Sequence, residues 1–65
     1  MRATRYDDKP LWNVQQVAAY LNISKRWVYR DGRSYGLPIF MIGRQLRARP
    51  ADVRAWVEQQ RQYGP

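Results

Sequence analysis

The chain has 65 residues, with twelve basic and five acidic side chains that give it a formal net charge of +7. A chain this short supports one compact domain, because it buries only about 60% of its unfolded surface. It contains no cysteine and no histidine, so disulfides, thiol nucleophiles, imidazole bases and the usual zinc ligands are excluded, and we expect a non-enzyme without a metal or cofactor.

The amino-terminal segment mixes charges without an apolar period, and Pro10 opposes a helix that would enter from it. We predict a flexible leader over residues 1–10, a folded domain over residues 11–61, and a tail over residues 62–65.

The first helix is predicted from Val14 to Leu21. Asn13 and Gln16 have the spacing of a capping box. The apolar residues that follow recur every three or four positions, as on one face of an amphipathic helix, and they are Val14, Val17, Ala18 and Leu21.

A tight corner should connect this helix to a second one. Asn22 can adopt the left-handed conformation, Ile23 can plug the corner, and Ser24 can cap the next helix. We predict that the second helix begins at Lys25 and is stopped by Asp31-Gly32, with a loop over residues 32–36.

A hairpin and a third helix should follow. The apolar run from Ile39 to Ile42 is short enough for a strand, and Gly43 suits a tight turn with Arg44 and Gln45 near its tip. The returning strand alternates, with Leu46 and Ala48 inward and Arg47 and Arg49 outward.

The third helix is predicted from Pro50 to about Gln60, because proline favours the first helical position and Val53, Trp56 and Val57 form an apolar stripe. The order helix, helix, strand, strand, helix predicts an α+β, mostly α, winged helix-turn-helix fold.

The second helix has one clear aliphatic anchor, Val28, and its remaining surface is largely polar or basic. Such a helix can read base edges in the major groove of DNA, whereas an ordinary solvated basic face is the alternative. We expect core packing for Trp12, Trp56 and Trp27, although Trp27 lies at the border of the polar face. The candidate DNA contacts on this helix are Ser24, Lys25, Arg26, Tyr29 and Arg30.

The hairpin supplies a second basic cluster that can lie in the minor groove, where arginine responds to groove width. Charges on a hairpin can instead protect an exposed strand edge from aggregation. The candidate contacts of this wing are Gly43, Arg44, Gln45 and Arg47.

The chain resembles the excisionase-type, MerR-like winged helix-turn-helix domains of phages and mobile elements. The resemblance rests on WNVQQVAAYLNISKRWVYR, GLPIFMIGRQLR and RPADVRAWV in this order. It implies a protein that bends DNA near attachment sites and steers a phage integrase toward excision, often as cooperative adjacent copies. Carried over by position, the major groove would receive Ser24, Lys25, Arg26 and Tyr29, and the minor-groove wing would comprise Gly43, Arg44 and Arg47.

Other functions remain open at this point. The same fold serves small phage or prophage transcriptional regulators and the DNA-recognition subunits of packaging machines, and a basic adaptor for acidic protein or RNA is a third class. No apolar run approaches the roughly 18 residues of a membrane span, and no segment resembles a signal peptide. We therefore expect double-stranded DNA as partner, no membrane, and a cytoplasmic, nucleoid-associated location in the host cell.

Overall fold

The computed structural model describes residues 10–63, and side chains as far as residue 61. Three helices pack with a small antiparallel sheet, which confirms the predicted winged helix-turn-helix fold. Apart from Pro10, the predicted leader lies outside the described residues. The elements in chain order are β1 (Trp12–Asn13), α1 (Val14–Leu21), α2 (Lys25–Asp31), a 3-10 turn (Arg33–Tyr35), β2 (Ile39–Ile42), β3 (Gln45–Ala48) and α3 (Pro50–Tyr63).

Helix α1 has the predicted bounds, and both of its ends are capped by local hydrogen bonds. The Gln16 backbone N–H donates to Oδ1 of Asn13 at 2.8 Å, and the Asn13 N–H donates to Oε1 of Gln16 at 2.9 Å. Asn22 closes the helix in the left-handed conformation at φ 59°. The Ile23 N–H then donates to the Ala18 carbonyl at 3.0 Å, as in a Schellman motif.

The corner between α1 and α2 turns as predicted, but Ile23 does not plug it. This side chain is 37% exposed. Ser24 caps α2, because its Oγ accepts a hydrogen bond from the Trp27 N–H at 3.0 Å. The left-handed residue and the cap therefore set this corner, with less help from apolar burial than the sequence suggested.

Gly32 ends α2 without leaving the right-handed helical region, since its φ is −52° and its ψ is −47°. The predicted loop over residues 32–36 is therefore wrong in part, because a 3-10 turn continues the helical path to Tyr35. Glycine is needed here for close packing: a Cβ would lie 2.6 Å from the Val28 carbonyl oxygen and 3.1 Å from a Leu37 methyl carbon. The chain changes direction at Gly36, which has a φ of 80°.

The sheet has the order β1-β3-β2, so β3 is its central strand. Strand β1, which the sequence did not reveal, pairs Trp12 with Ala48. Strands β2 and β3 form the predicted hairpin around Gly43 and Arg44. Only Gly43 of these two has a positive φ, at 63°, which is the pattern of a type II′ turn.

The core is formed by small and branched side chains from all three helices, the sheet and the segment before β2. The three tryptophans are partly buried around it, so the predicted packing of Trp12, Trp27 and Trp56 is confirmed. The predicted inward orientation of Leu46 and Ala48 is confirmed as well. The buried residues are Val17, Ala18, Val28, Leu37, Leu46, Ala48 and Val53.

Helix α3 continues to Tyr63, three residues beyond the predicted end at Gln60. Asp52 lies in its first turn and Arg61 in its last turn. Both charges stabilise the helix by interacting favourably with its dipole. None of the helices between residues 10 and 63 is long and apolar enough to cross a membrane.

Candidate nucleic-acid interface

Helix α2 presents a polar surface to solvent, and its one fully buried side chain packs in the core. Val28 is fully buried, whereas the five residues predicted to contact DNA are all exposed. One helix therefore displays the whole predicted set on the surface, and that set is Ser24, Lys25, Arg26, Tyr29 and Arg30.

The cations of this surface are not equivalent. The Arg30 guanidinium pairs with the Asp31 carboxylate through Nη2 at 3.0 Å and Nε at 3.1 Å. The side chains of Lys25 and Arg26 make no hydrogen bond or ion pair within the described residues. The positive charge available to a polyanion is therefore concentrated at the start of α2, while Asp31 partly neutralises its end.

Ser24 has a structural role that leaves one polar function available. Its oxygen accepts the Trp27 N–H, whereas its hydroxyl proton is not used by that bond. A hydroxyl can donate and accept at once, so the same side chain can cap α2 and donate to a phosphate oxygen.

Arg33 extends the basic surface of α2 and was missed by the sequence reasoning. Because Gly32 is right-handed, the path from α2 continues into the 3-10 turn, where Arg33 is exposed. Arg26, Arg30 and Arg33 are spaced by four and three residues, which places such side chains on one helix face. The spacing was a usable signal, but residues 32–36 were expected to form a loop instead of a 3-10 turn.

The end of this surface is stabilised by an aromatic pair. The ring centroids of Trp27 and Tyr35 lie 5.3 Å apart with an interplanar angle of 44°. The Trp56 indole N–H of α3 also donates to the Tyr35 carbonyl at 2.9 Å. Two contacts therefore fix the 3-10 turn that carries Arg33, one from α2 and one from α3.

The wing, defined here as residues 39–48, contains four predicted DNA contacts, which differ in the hydrogen bonds that their side chains make. Gly43 and Arg44 form the exposed tip, and the Arg44 side chain makes no ion pair or hydrogen bond with the rest of the described chain. The Arg47 guanidinium instead folds back, donating to the Leu46 carbonyl at 2.7 Å and to Oε1 of Gln45 at 2.6 Å. Arg44 is therefore the exposed cation of the tip, and Arg47 with Gln45 supports the strand behind it.

The arginines of the wing lie outside the edge strand β2. Arg47 lies on β3, the central strand, whereas β2 forms an edge of the sheet and contains only apolar residues. Arg49 follows β3, and its guanidinium carbon lies 5.6 Å from the centre of the Phe40 ring, within the range of a cation–π interaction. Strand β2 therefore carries no charge of its own at the edge of the sheet.

The fold and the exposed basic elements agree with a comparison to known families. A family model described as a helix-turn-helix domain matches residues 13–61. This span includes α1, α2, the wing and most of α3, and the chain belongs to this family. No curated protein and no solved structure matches the chain. Membership indicates a DNA-binding domain.

Proposed function

We propose that this helix-turn-helix domain is an excisionase-type architectural protein that bends duplex DNA and steers an integrase toward excision. Its partners would be double-stranded DNA, a phage integrase and adjacent copies of itself. The proposal rests on one observation. Cations without a partner in the described part of the chain lie on two separate elements, with Lys25 and Arg26 on the short helix α2 and Arg44 at the tip of the hairpin. Neither element alone offers a large contact surface, so the two must act together on one duplex.

The length of α2 limits what it can read. Seven residues give a helix of about 10 Å at 1.5 Å per residue, which matches the roughly 12 Å width of the major groove. Its first turn brings Lys25 and Arg26 to base edges and lets Ser24 donate to a phosphate. Arg26 is the residue we assign to guanine, because an arginine fork binds guanine through two hydrogen bonds.

The wing supplies the second contact and the reason for bending. Adjacent strands lie about 4.8 Å apart, and the minor groove of B-form DNA is only about 6 Å wide. The hairpin with its side chains therefore does not fit unless the groove opens, and opening the groove bends the duplex toward the major groove. The negative electrostatic potential of the minor groove would attract the Arg44 guanidinium at the tip.

Bending and recombination test the proposal in two stages. Duplexes selected by the protein from a random library are labelled at both ends, and the bend is measured by energy transfer. We expect a bend that Arg44→Ala reduces, while Arg61→Ala, which removes an arginine paired with Glu58 on α3, serves as the matched control.

The second stage reconstitutes excision with the integrase and attachment sites of the mobile element that encodes the chain. Excision should require the protein and should be impaired by Arg44→Ala. Binding without a bend would contradict the architectural role. A bend without any effect on excision would favour a transcriptional regulator that uses the same surface.

A further inference from the structure

The wing tip carries exposed apolar side chains that neither the core nor the proposed groove contacts explain. Ile42, the last residue of β2, is 54% exposed, and Met41 before it is 43% exposed. Ile42 pairs with Gln45 beside the two-residue turn, so it is the last side chain before Gly43 and Arg44. A large aliphatic group at this place is costly in water unless a partner covers it.

The surrounding charge identifies the partner as DNA. The turn beside Ile42 contains Arg44, and the returning strand and its continuation contain Arg47 and Arg49, whereas residues 39–49 contain no acidic residue. An apolar side chain with several arginines and no carboxylate around it suits the minor groove, whose walls carry the phosphates. Proteins that bend DNA there frequently insert Ile, Leu, Met or Phe between base pairs.

We infer that Ile42 is a wedge that enters a base-pair step in the minor groove and unstacks it, while Arg44 contacts the groove beside it. This inference rests on the proposed DNA bending and names the residue that produces the kink. Ile42 is selected over Met41 because it is more exposed and adjoins the tip, and because successive residues of a strand point to opposite faces. Met41 pairs with the buried Leu46 and therefore lies on the face that adjoins the core.

The test measures unstacking directly. A selected duplex of about 30 base pairs, long enough to contain a bent site, carries the fluorescent adenine analogue 2-aminopurine at successive positions. Its fluorescence rises when its neighbours unstack. We expect a severalfold rise at one step with the wild-type protein, loss of that rise and a smaller bend with Ile42→Thr, and little change with Met41→Thr.

Affinity should respond less than the bend. Removing the wedge loses the burial of one aliphatic side chain but also saves the cost of unstacking a step, and the two effects are of similar size. The affinity of Ile42→Thr should therefore change by less than about tenfold. Thermal unfolding of both threonine variants provides the folding control, since both residues are about half exposed.

The outcomes separate the wedge from the proposed function. Bending without a fluorescence rise at any step would overturn the wedge and leave DNA bending intact. Binding without bending would overturn both. If Ile42→Thr reduced only the cooperativity between adjacent copies and left the fluorescence unchanged, the side chain would be a contact to a second copy and the wedge would be overturned.

Discussion

The indole N–H of Trp56 donates a hydrogen bond to the backbone carbonyl of Tyr35 at 2.9 Å. This bond connects α3 to the 3-10 turn, twenty-one positions earlier in the chain. Through the contact between the Trp27 and Tyr35 rings it also supports the end of the α2 surface. The position of Arg33 thus depends on a residue of α3.

Replacing Trp56 should separate its hydrogen bond from its packing. Trp56→Phe loses the bond and should reduce the free energy of unfolding by about 1 kcal/mol. Trp56→Ala also loses the packing of a half-buried ring and should cost about 2 to 3 kcal/mol, below the range of fully buried aromatic residues. Chemical denaturation measures both values, and equal stability of the phenylalanine variant and the wild type would show that the bond contributes nothing.

Gly32→Ala tests whether packing or helix propensity controls the end of α2. Alanine at a right-handed position should stabilise by up to about 1 kcal/mol if only backbone entropy mattered. The new Cβ would instead meet the Val28 carbonyl and the Leu37 side chain, and such overpacking costs about 1 to 3 kcal/mol. We therefore expect a net loss in the free energy of unfolding, and a gain would refute the close approach.

Arg26→Ala should reduce sequence-specific affinity more than non-specific affinity. A bidentate contact to guanine contributes about 1 to 3 kcal/mol of discrimination, so the selected duplex should bind roughly 5-fold to 150-fold more weakly. Gel shifts with the selected duplex and with a scrambled duplex give the two affinities. An equal loss on both would make Arg26 a phosphate contact, and Arg61→Ala is the control for loss of charge alone.

Duplex affinity should fall steeply with salt. Four cations of the proposed interface have neither an ion pair nor a side-chain hydrogen bond within the described residues, and they are Lys25, Arg26, Arg33 and Arg44. Four neutralised phosphates predict a slope of about −3.6 for log affinity against log salt, hence about a 100-fold loss from 50 to 200 mM salt. A slope shallower than about −1 would contradict an interface built on these side chains.

The parts of the fold that depend on neighbours in sequence were predictable. The bounds of α1 and α2 follow from Asn13, Asn22 and Ser24, whose capping groups act within a few residues. Strand β1 was not predictable, because two residues carry no periodicity and Trp12 pairs with Ala48 far along the chain. The end of α2 at Asp31 was predicted correctly, but the 3-10 turn after Gly32 was not, because it depends on close packing of Gly32 against Leu37.

The candidate site shows the same division. The local sequence pattern was enough to predict that cations lie on α2 and on the wing, because a polar helix face and a turn are local features. The pairing of Arg30 with Asp31 and the return of Arg47 to Gln45 depend on side-chain geometry that the residue order does not specify. These contacts distinguish the paired arginines from the unpaired cations of the predicted set, and the right-handed Gly32 adds the exposed Arg33 to the basic surface.

We expect α2 and the wing to occupy different grooves of one duplex. Methylation protection with dimethyl sulfate tests this expectation most directly. The reagent modifies guanine N7, which lies in the major groove, and adenine N3, which lies in the minor groove. The wild-type protein should protect both kinds of position within one site, Arg26→Ala should restore guanine modification, and Arg44→Ala should restore adenine modification. Protection confined to one groove, or identical effects of the two variants, would contradict the account.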